Sequence, residues 1–470
     1  VQIFVFIFIT AIIGLLTYLQ CRKADTGDQG SGHDYFLANG GLSWYFVAGS
    51  ITLTNLSTDQ LVGMNGNQML LLAWWELAAV CGLIILAFVF LPIYYNNNCT
   101  TTTELLQRKY NDKHIRALIS ALFLLGNIFI FLPAVLYGGS LFLLSMFDLD
   151  IPLMVVAVSL AIVGATYAIL GGLRAVAVSD TYSGVLILSL ALLVVFLALK
   201  AIDFDFSGIP AERLTMIGDN DSPIPWHTLL TGMIFIQTFY WSTNQTITQR
   251  AMAAPTLKEA RKGVLAAAGI RLMIVPVIVT VPGIVAFKLY GDINDEAYGR
   301  LVGDVLPGWL SGAFAAAIAA AALTSFNSIL NASAALYVCD LHECYVRKVN
   351  NIPKLSSIVS CIMTLLAILL VPVFATQESV INTVQQLFGL LSMPILSAFV
   401  VGLAFKGVEA RAAIAAVVAG VALYAFLSFV WTPVHYIHAM FITLIFCIAF
   451  SLLINRLLGN RATLVIGEKT

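Results

Sequence analysis

Charge is what this chain has least of. Only 10% of its 470 residues are Asp, Glu, Lys or Arg, against 60% apolar residues, where a soluble domain carries about 25% charge. That scarcity excludes a soluble globular protein, as does a mean hydropathy of +0.93. The charge present nearly cancels, with 24 basic and 25 acidic residues for a net charge of −1, so no nucleic acid or other polyanionic partner is implied. Cysteine is sparse. Cys21, Cys81, Cys99, Cys339, Cys344, Cys361 and Cys447 are scattered without metal-ligand spacing and read as free, mostly buried thiols. Phosphate loops and H-E-x-x-H motifs are missing, and no nucleophile–base set converges, so neither an enzyme nor an organic cofactor is expected. Gly171-Gly172 before Leu173-Arg174 is a turn, not a dinucleotide fingerprint. A solute sensor would carry a large soluble output domain, and a channel would show rings of like residues; neither is visible.

What fills the chain is long apolar runs. Thirteen candidate spans lie near 1–21, 42–69, 70–96, 114–147, 151–172, 177–201, 225–249, 260–289, 306–345, 353–374, 379–404, 410–431 and 436–458. Short connections make residues 1–470 one all-α membrane domain set in a lipid bilayer. The first span lacks a basic leader and a small-residue cleavage site, so it reads as an outside-to-inside helix rather than a signal peptide. With the N-terminus outside, 19 of 24 basic residues fall in inner loops, among them Arg108, Lys109, Arg116, Lys258 and Arg261. Lys200, Arg213, Lys288 and Arg300 fall outside and Arg271 within a span. This asymmetry sets the orientation in the plasma (inner) membrane.

Polar residues interrupt two spans. One run is Thr54-Asn55-Leu56-Ser57-Thr58-Asp59-Gln60, and the other, five spans later, is Gln237 to Gln245. Lipid offers no partner for loose backbone groups, so such patches are tolerated only where protein or a cavity covers them. Set aside the first helix (1–21) and the next ten form two groups of five, 42–201 and 225–404, followed by flanking helices over 410–458. Five is odd, so the second group runs inverted. At about 1.5 Å per residue, Asn55 lies roughly 20 Å up its helix and Gln237 roughly 16 Å down its own. Both reach the middle of a hydrocarbon core about 30 Å thick, as broken helices with a midplane site do.

Few ionisable residues fall inside spans: Asp59, Glu76, Asp180 and Arg271. Each is a functional candidate. A carboxylate, an arginine, amides and aromatic faces suit a neutral polyhydroxylated solute, with a C–H face stacked on Tyr240 or Trp241. A second constellation is Thr324, Ser325, Asn327, Ser328 and Asn331, at the depth of Asp180. Hydroxyls, a carboxylate and broken-helix carbonyls are hard oxygen ligands for an alkali cation. Serine and threonine also back-bond to their own helix, and a buried Arg–Glu pair also serves simply to hold helices together.

At these residues the chain resembles the sodium/solute symporter family, especially its bacterial sodium/galactose and human sodium/glucose branch. The matching stretches are Asp34-Tyr35-Phe36-Leu37-Ala38, Asn55-Leu56-Ser57…Gln60, Gly171-Gly172-Leu173…Ala175-Val176…Asp180, Tyr240-Trp241…Asn244-Gln245…Gln249-Arg250 and Ser325…Leu330-Asn331…Asp340. The resemblance implies the leucine-transporter fold, sodium-driven uptake and alternating access. By position it implies a sodium site from the carbonyls of Leu53, Leu56 and Ala321 with the hydroxyls of Thr324 and Ser325. It also implies that Asp180 serves either sodium passage or, in members with a second ion, a second sodium shared with Thr324, Asn327 and Ser328, with Asn327 standing where the family has a hydroxyl. Its sugar site falls on Asn55, Gln60, Glu76, Gln237, Tyr240, Trp241, Arg271 and Gln385, with Tyr240 resembling the inner gate.

Three positions depart from the galactose type, which has lysine at 271, asparagine at 237 and tyrosine at 75, where this chain has Arg271, Gln237 and Trp75. Arginine is a planar fork rather than a point charge, so different hydroxyl preferences are expected. The reading is a symporter for a neutral sugar or polyol. The alternatives are a sodium symporter for a carboxylate or amino acid held by Arg271, or a sensor on a transporter scaffold. Glu76 speaks against the carboxylate, because it neutralises that arginine. Oligomeric state is not implied.

Overall fold

Each polar interruption is a point where the helix stops and restarts. In this computed structural model, helix α1 (Trp44–Asn55) ends at Leu56, whose ψ of 62° leaves the helical region, and an extended Ser57 starts α2 (Thr58–Gly66). After α3 (Trp74–Ile85), α4 (Lys113–Gly126), α5 (Leu132–Phe147) and α6 (Leu153–Ala201) comes the second break. There α7 (Gly232–Ser242) gives way to α8 (Gln245–Met252). Asn244 caps α8, its side-chain oxygen accepting the Thr246 N–H at 3.0 Å. Small polar side chains make these restarts cheap by supplying the hydrogen bonds that the helix ends lose. The chain continues through α9 (Leu257–Met273), α10 (Val275–Tyr290), the short α11 (Ala297–Val305), α12 (Gly308–Ala335), α13 (Ile352–Ala375), α14 (Val380–Ala404), α15 (Ala410–Ala425) and α16 (Tyr436–Leu457).

The structure describes residues 40–465 and a few earlier positions, without the side chains of Asp59, Tyr167, Leu170 and residues 171–176. Most of the expected leading helix 1–21 lies outside the described residues, as do Asp34, Tyr35 and Ala38 and the side chains of Gly171-Gly172-Leu173 and Ala175-Val176.

Two spans bend without breaking. Residues 127–131 and 86–90 form π turns, and each is followed at its second residue by a proline, Pro133 and Pro92. Proline has no N–H to give to the carbonyl four residues back, and the ladder absorbs the loss by widening one turn.

The expected boundary between spans 151–172 and 177–201 differs from the sequence reading: the backbone stays helical through all 49 residues of α6. A straight helix of that length would extend about 73 Å. Instead Gly164 packs against Phe326 while Asp180 lies beside Thr324, so two points far apart on α6 meet one turn of α12. Ala198 and Ile202 at its end pack on Ala297 and Leu301 of α11. Gly299 of the same α11 meets Phe142 and Ser145, just before α6 begins. The segment therefore doubles back, and the two crossings survive as arms of one bent helix.

Helix α12 is the spine. It is rich in alanine and serine, and 94% of its most apolar stretch is buried, against 39% for α13, α15 and α16, which turn apolar side chains outward. Small residues let neighbours approach closely, the way membrane helices pack. Among the described residues nine helical runs are long and apolar enough to cross a bilayer. The two broken pairs and the Leu153–Thr166 arm add to these.

Above α2, in the connection between α10 and α11, Asp295 is 6% exposed. It accepts the Val380 N–H at the start of α14 at 3.0 Å, while its other carboxylate oxygen has no hydrogen-bond partner. Burial pushes this carboxyl up to about 6.

Candidate functional site

A cavity opens where the two breaks face each other. Thr54, Asn55, Ser57 and Gln60 line it from the first break, and Gln237, Tyr240, Trp241, Asn244 and Thr246 from the second. The start of α3 contributes Trp75 and Glu76, the π turn Asn127 and Phe131, and α14 Gln385 and Phe388. Asn55 joins the two breaks directly, its Nδ2 donating to the Tyr240 hydroxyl at 3.0 Å while its Oδ1 has no hydrogen-bond partner. Phe388 packs its ring 5.8 Å from that of Tyr240 and 4.8 Å from that of Phe131, both edge-on. The result is a chamber lined by amide and carboxylate groups interleaved with aromatic rings.

Its charges are already paired. Glu76 accepts from Gln60 Nε2 through one oxygen and from Arg271 through the other. Arg271 also donates to the Thr52 carbonyl at 3.2 Å, and its guanidinium lies 4.4 Å over the Trp241 ring. Both charged side chains are out of solvent, at 1% and 0% exposure. A buried pair of this kind holds only when every partner is in place. Seven of the eight residues expected to meet solute line the cavity: Asn55, Gln60, Glu76, Gln237, Tyr240, Trp241 and Gln385. Arg271 is not among the lining residues; the structure sets it behind Glu76, because the long side chain bridges to Thr52 and Trp241 instead of reaching forward. Gln237 faces the cavity yet is spent on structure, donating to the Trp75 carbonyl and accepting from the Trp241 indole, each at 2.9 Å.

The oxygen groups expected to hold cations gather on the α1 side of the first break. Ending α1 at Asn55 deprives the carbonyls of its last turn, Leu53 and Leu56 nearby, of helical donors. Ser325 of α12 touches this turn, its hydroxyl 3.5 Å from the Thr54 carbonyl, and Thr324 donates to Ala321 O at 3.1 Å. Asp180 is fully buried and accepts from Ser50 at 2.5 Å, with Arg250 Nε 4.0 Å away. The Thr54 and Thr324 hydroxyls are neighbours of the same carboxylate. Asp180 Oδ1, Thr54 Oγ1 and both ends of the Asn327 amide are buried without a hydrogen-bond partner. Orphaned oxygens beside a carboxylate are what a desolvated alkali cation takes. Ser328 instead donates to Thr324 O on its own helix at 2.6 Å.

Reasoning from residue types missed several positions. Asn127 and Phe131, from the π turn that precedes Pro133, also reach the cavity. Arg250, fully buried and donating to Ser50 at 2.9 Å, ties α8 to the Asp180 cluster. Its place in a polar run near an inner loop hid that role.

Comparison with known proteins agrees with this architecture. The family model for the sodium:solute symporter family matches residues 35–420. The chain is 33% identical to an Escherichia coli K12 protein described as an uncharacterized symporter, YidK, over 95% of this chain and 82% of that one. It is 31% identical to the sodium/glucose cotransporter of Vibrio parahaemolyticus, over 95% and 88% of the two chains. A solved structure of a Na+-coupled sialic acid symporter, substrate-bound and outward-open, superposes with a TM-score of 0.83 over 97% of both chains at 19% identity. That likeness is one of fold.

Proposed function

This chain belongs to the sodium:solute symporter family, a family of multi-pass membrane transporters rather than enzymes, and from that premise we propose that it imports a neutral sugar or polyol together with sodium. The observation that carries the solute class is the state of Arg271. Its guanidinium is matched by Glu76 and stacked on Trp241, so among the described residues no free positive charge lines the cavity to hold a carboxylate. What faces it are amides, hydroxyls and one hydrogen-bonded carboxylate beside aromatic rings, the set that hydroxyl groups and C–H faces require. The sodium/glucose cotransporter among its relatives supports the same class.

In this reading the repeats are 42–201 and 225–404, with 410–458 flanking and the N-terminus outside. Sodium bridges Leu53, Leu56, Ala321, Thr324 and Ser325, fastening α1 to α12 and so shaping the cavity on the far side of the break. A second sodium takes Asp180, Thr324, Asn327 and Ser328. One charge crossing about 100 mV releases roughly 2.3 kcal/mol, and a tenfold sodium gradient adds about 1.4. About 3.7 kcal/mol per ion supports accumulation of several hundredfold. Tyr240, bonded to Asn55, closes the inner side of the cavity until both breaks move.

The test is calorimetry of the purified protein with a panel of sugars, polyols, carboxylates and amino acids, with and without sodium. Sodium-dependent binding of a sugar or polyol is expected. If carboxylates or amino acids bind and no sugar does, the solute class is wrong and Arg271 must part from Glu76 on loading.

A further inference from the structure

On the face assigned to the outside, two imidazoles from segments 211 residues apart meet nitrogen to nitrogen. His227 lies in the turn Trp226–Leu230 that leads into α7, and His438 in the first turn of α16. His227 Nδ1 is 2.5 Å from His438 Nε2, with ring centroids 4.7 Å apart and planes 10° from parallel. The rings therefore lie edge to edge in nearly one plane, with the two nitrogens on the line between them. Each ring is fixed from behind. His227 Nε2 meets Asn220 Oδ1 at 3.0 Å, and His438 Nδ1 meets Thr231 Oγ1 at 2.8 Å. The amide oxygen only accepts, so it places the His227 proton on Nε2 and leaves the Nδ1 lone pair aimed at His438. The Thr231 hydroxyl already donates to the Thr228 carbonyl at 3.2 Å, so it accepts from His438 Nδ1–H and leaves Nε2 bare; outer hydrogen bonds that fix the tautomer in this way are how metal-binding histidines are oriented. A neutral N–H donor settles about 2.7 Å or more from its acceptor, whereas these nitrogens converge more closely.

We propose that His227 and His438 form a zinc-type transition-metal site that clips the entry of α7 to α16. Both rings are half-buried, so an ion reaches them from the surrounding water. With Zn–N bonds of about 2.0–2.1 Å, two nitrogens of a tetrahedral site stand about 3.3 Å apart. The nitrogens need part by about 0.8 Å and each ring turn by roughly 35° for both lone pairs to converge on the ion, and water completes the shell. Among the described residues no cluster of three or more His, Cys, Asp or Glu forms a metal site. His435 spends its Nδ1 on the Ile437 N–H at 3.3 Å. The site thus has two protein ligands, and its ion is exchangeable. Its leverage comes from the packing around it. A Cβ on Gly232 would lie 1.9 Å from the Ile437 carbonyl oxygen, so the two helices touch backbone to backbone where the site sits. Helix α7 carries Gln237, Tyr240 and Trp241 into the solute cavity. Bound metal restrains this half of the second break and slows transport.

Titration of the purified protein with zinc chloride by calorimetry tests the site without reference to any solute. One equivalent is expected to bind. His227→Ala and His438→Ala should abolish that binding, His438→Cys should keep it, and Asn220→Ala should weaken it about tenfold or more. Sodium-driven solute uptake should fall severalfold with zinc in the wild type and not in the alanine variants. Absence of zinc binding by the wild type, or equal binding by wild type, Asn220→Ala and both alanine variants, overturns the site. Binding without any effect on uptake overturns its control of transport.

Discussion

Replacing Arg271 by methionine removes the guanidinium but nearly preserves its bulk. Glu76, at 1% exposure, is then left with Gln60 as its side-chain donor and no counter-charge. Breaking a buried ion pair from one side costs about 3–5 kcal/mol, because the remaining charge has no solvent to turn to. Glu76→Gln strands the arginine, with the Thr52 carbonyl and the Trp241 face as its remaining contacts, and should cost a similar amount. The double variant strands neither charge, and replacement of a whole buried pair is often nearly neutral. It should therefore recover most of the loss, and two single losses of that size against a nearly neutral double variant give a coupling of roughly 6 kcal/mol or more. Unfolding of all four proteins by SDS in mixed micelles, followed by circular dichroism, supplies the cycle. If the double variant loses the sum of the two single losses, the pair is not a unit and the account of the cavity wall fails. The same geometry bears on specificity. Lysine at 271 can meet Glu76 but not the Thr52 carbonyl and Trp241 face as well. Arg271→Lys should thus lower the affinity for every bound solute by a similar factor, whereas an arginine in direct contact with solute would reorder epimers.

Three other outcomes are expected. Ser325→Ala should raise the sodium concentration for half-maximal uptake severalfold, since a lost ligand also weakens the solute binding linked to sodium; unchanged sodium activation would refute the assignment. Asp180→Asn should slow or uncouple sodium-driven uptake while leaving solute contacts intact, and a reversal-potential ratio of one sodium per solute would remove the second ion. For Asp295, the folded carboxyl is raised from 3.8 to about 6 by burial. Its protonated form therefore supports the fold fully below about pH 4, and that support is lost as pH rises towards 6, a difference of about 3 kcal/mol. Asp295→Asn keeps an acceptor for Val380, so its thermal unfolding temperature should exceed the wild type's at pH 7 and match it near pH 4. An equal gain at both pH values would mean that the charge is not the cause.

Both helix breaks were legible because runs such as Thr-Asn-Leu-Ser-Thr-Asp-Gln have no other explanation inside an apolar span. The Glu76–Arg271 partnership was legible as chemistry, since two isolated opposite charges in lipid seek each other. Which of them faces the cavity was not legible, because side-chain direction depends on where Trp241 and the Thr52 carbonyl lie. The bend in α6 escaped for a related reason. Apolar content around Gly171-Gly172 dips as it would at a loop, while the backbone stays helical through the turn. Asn127 and Phe131 were overlooked because a single amide and a phenylalanine within an apolar span carry no mark of which helix face meets a cavity.

The π turn at 127–131 is in effect one surplus residue held inside a helix. Because each residue of an α-helix turns the chain by about 100°, that surplus sets the azimuth of everything on one side of it against everything on the other. Deleting a single residue there would let the helix close into regular turns, leaving its two ends anchored while swinging the amide of Asn127 or the ring of Phe131 away from the chamber. Chamber chemistry in this scaffold is therefore open to revision by changes in chain length as well as by substitution. A lineage can exchange the wall it presents to a solute by gaining or losing one residue, with the helix, its neighbours and the surrounding lipid undisturbed.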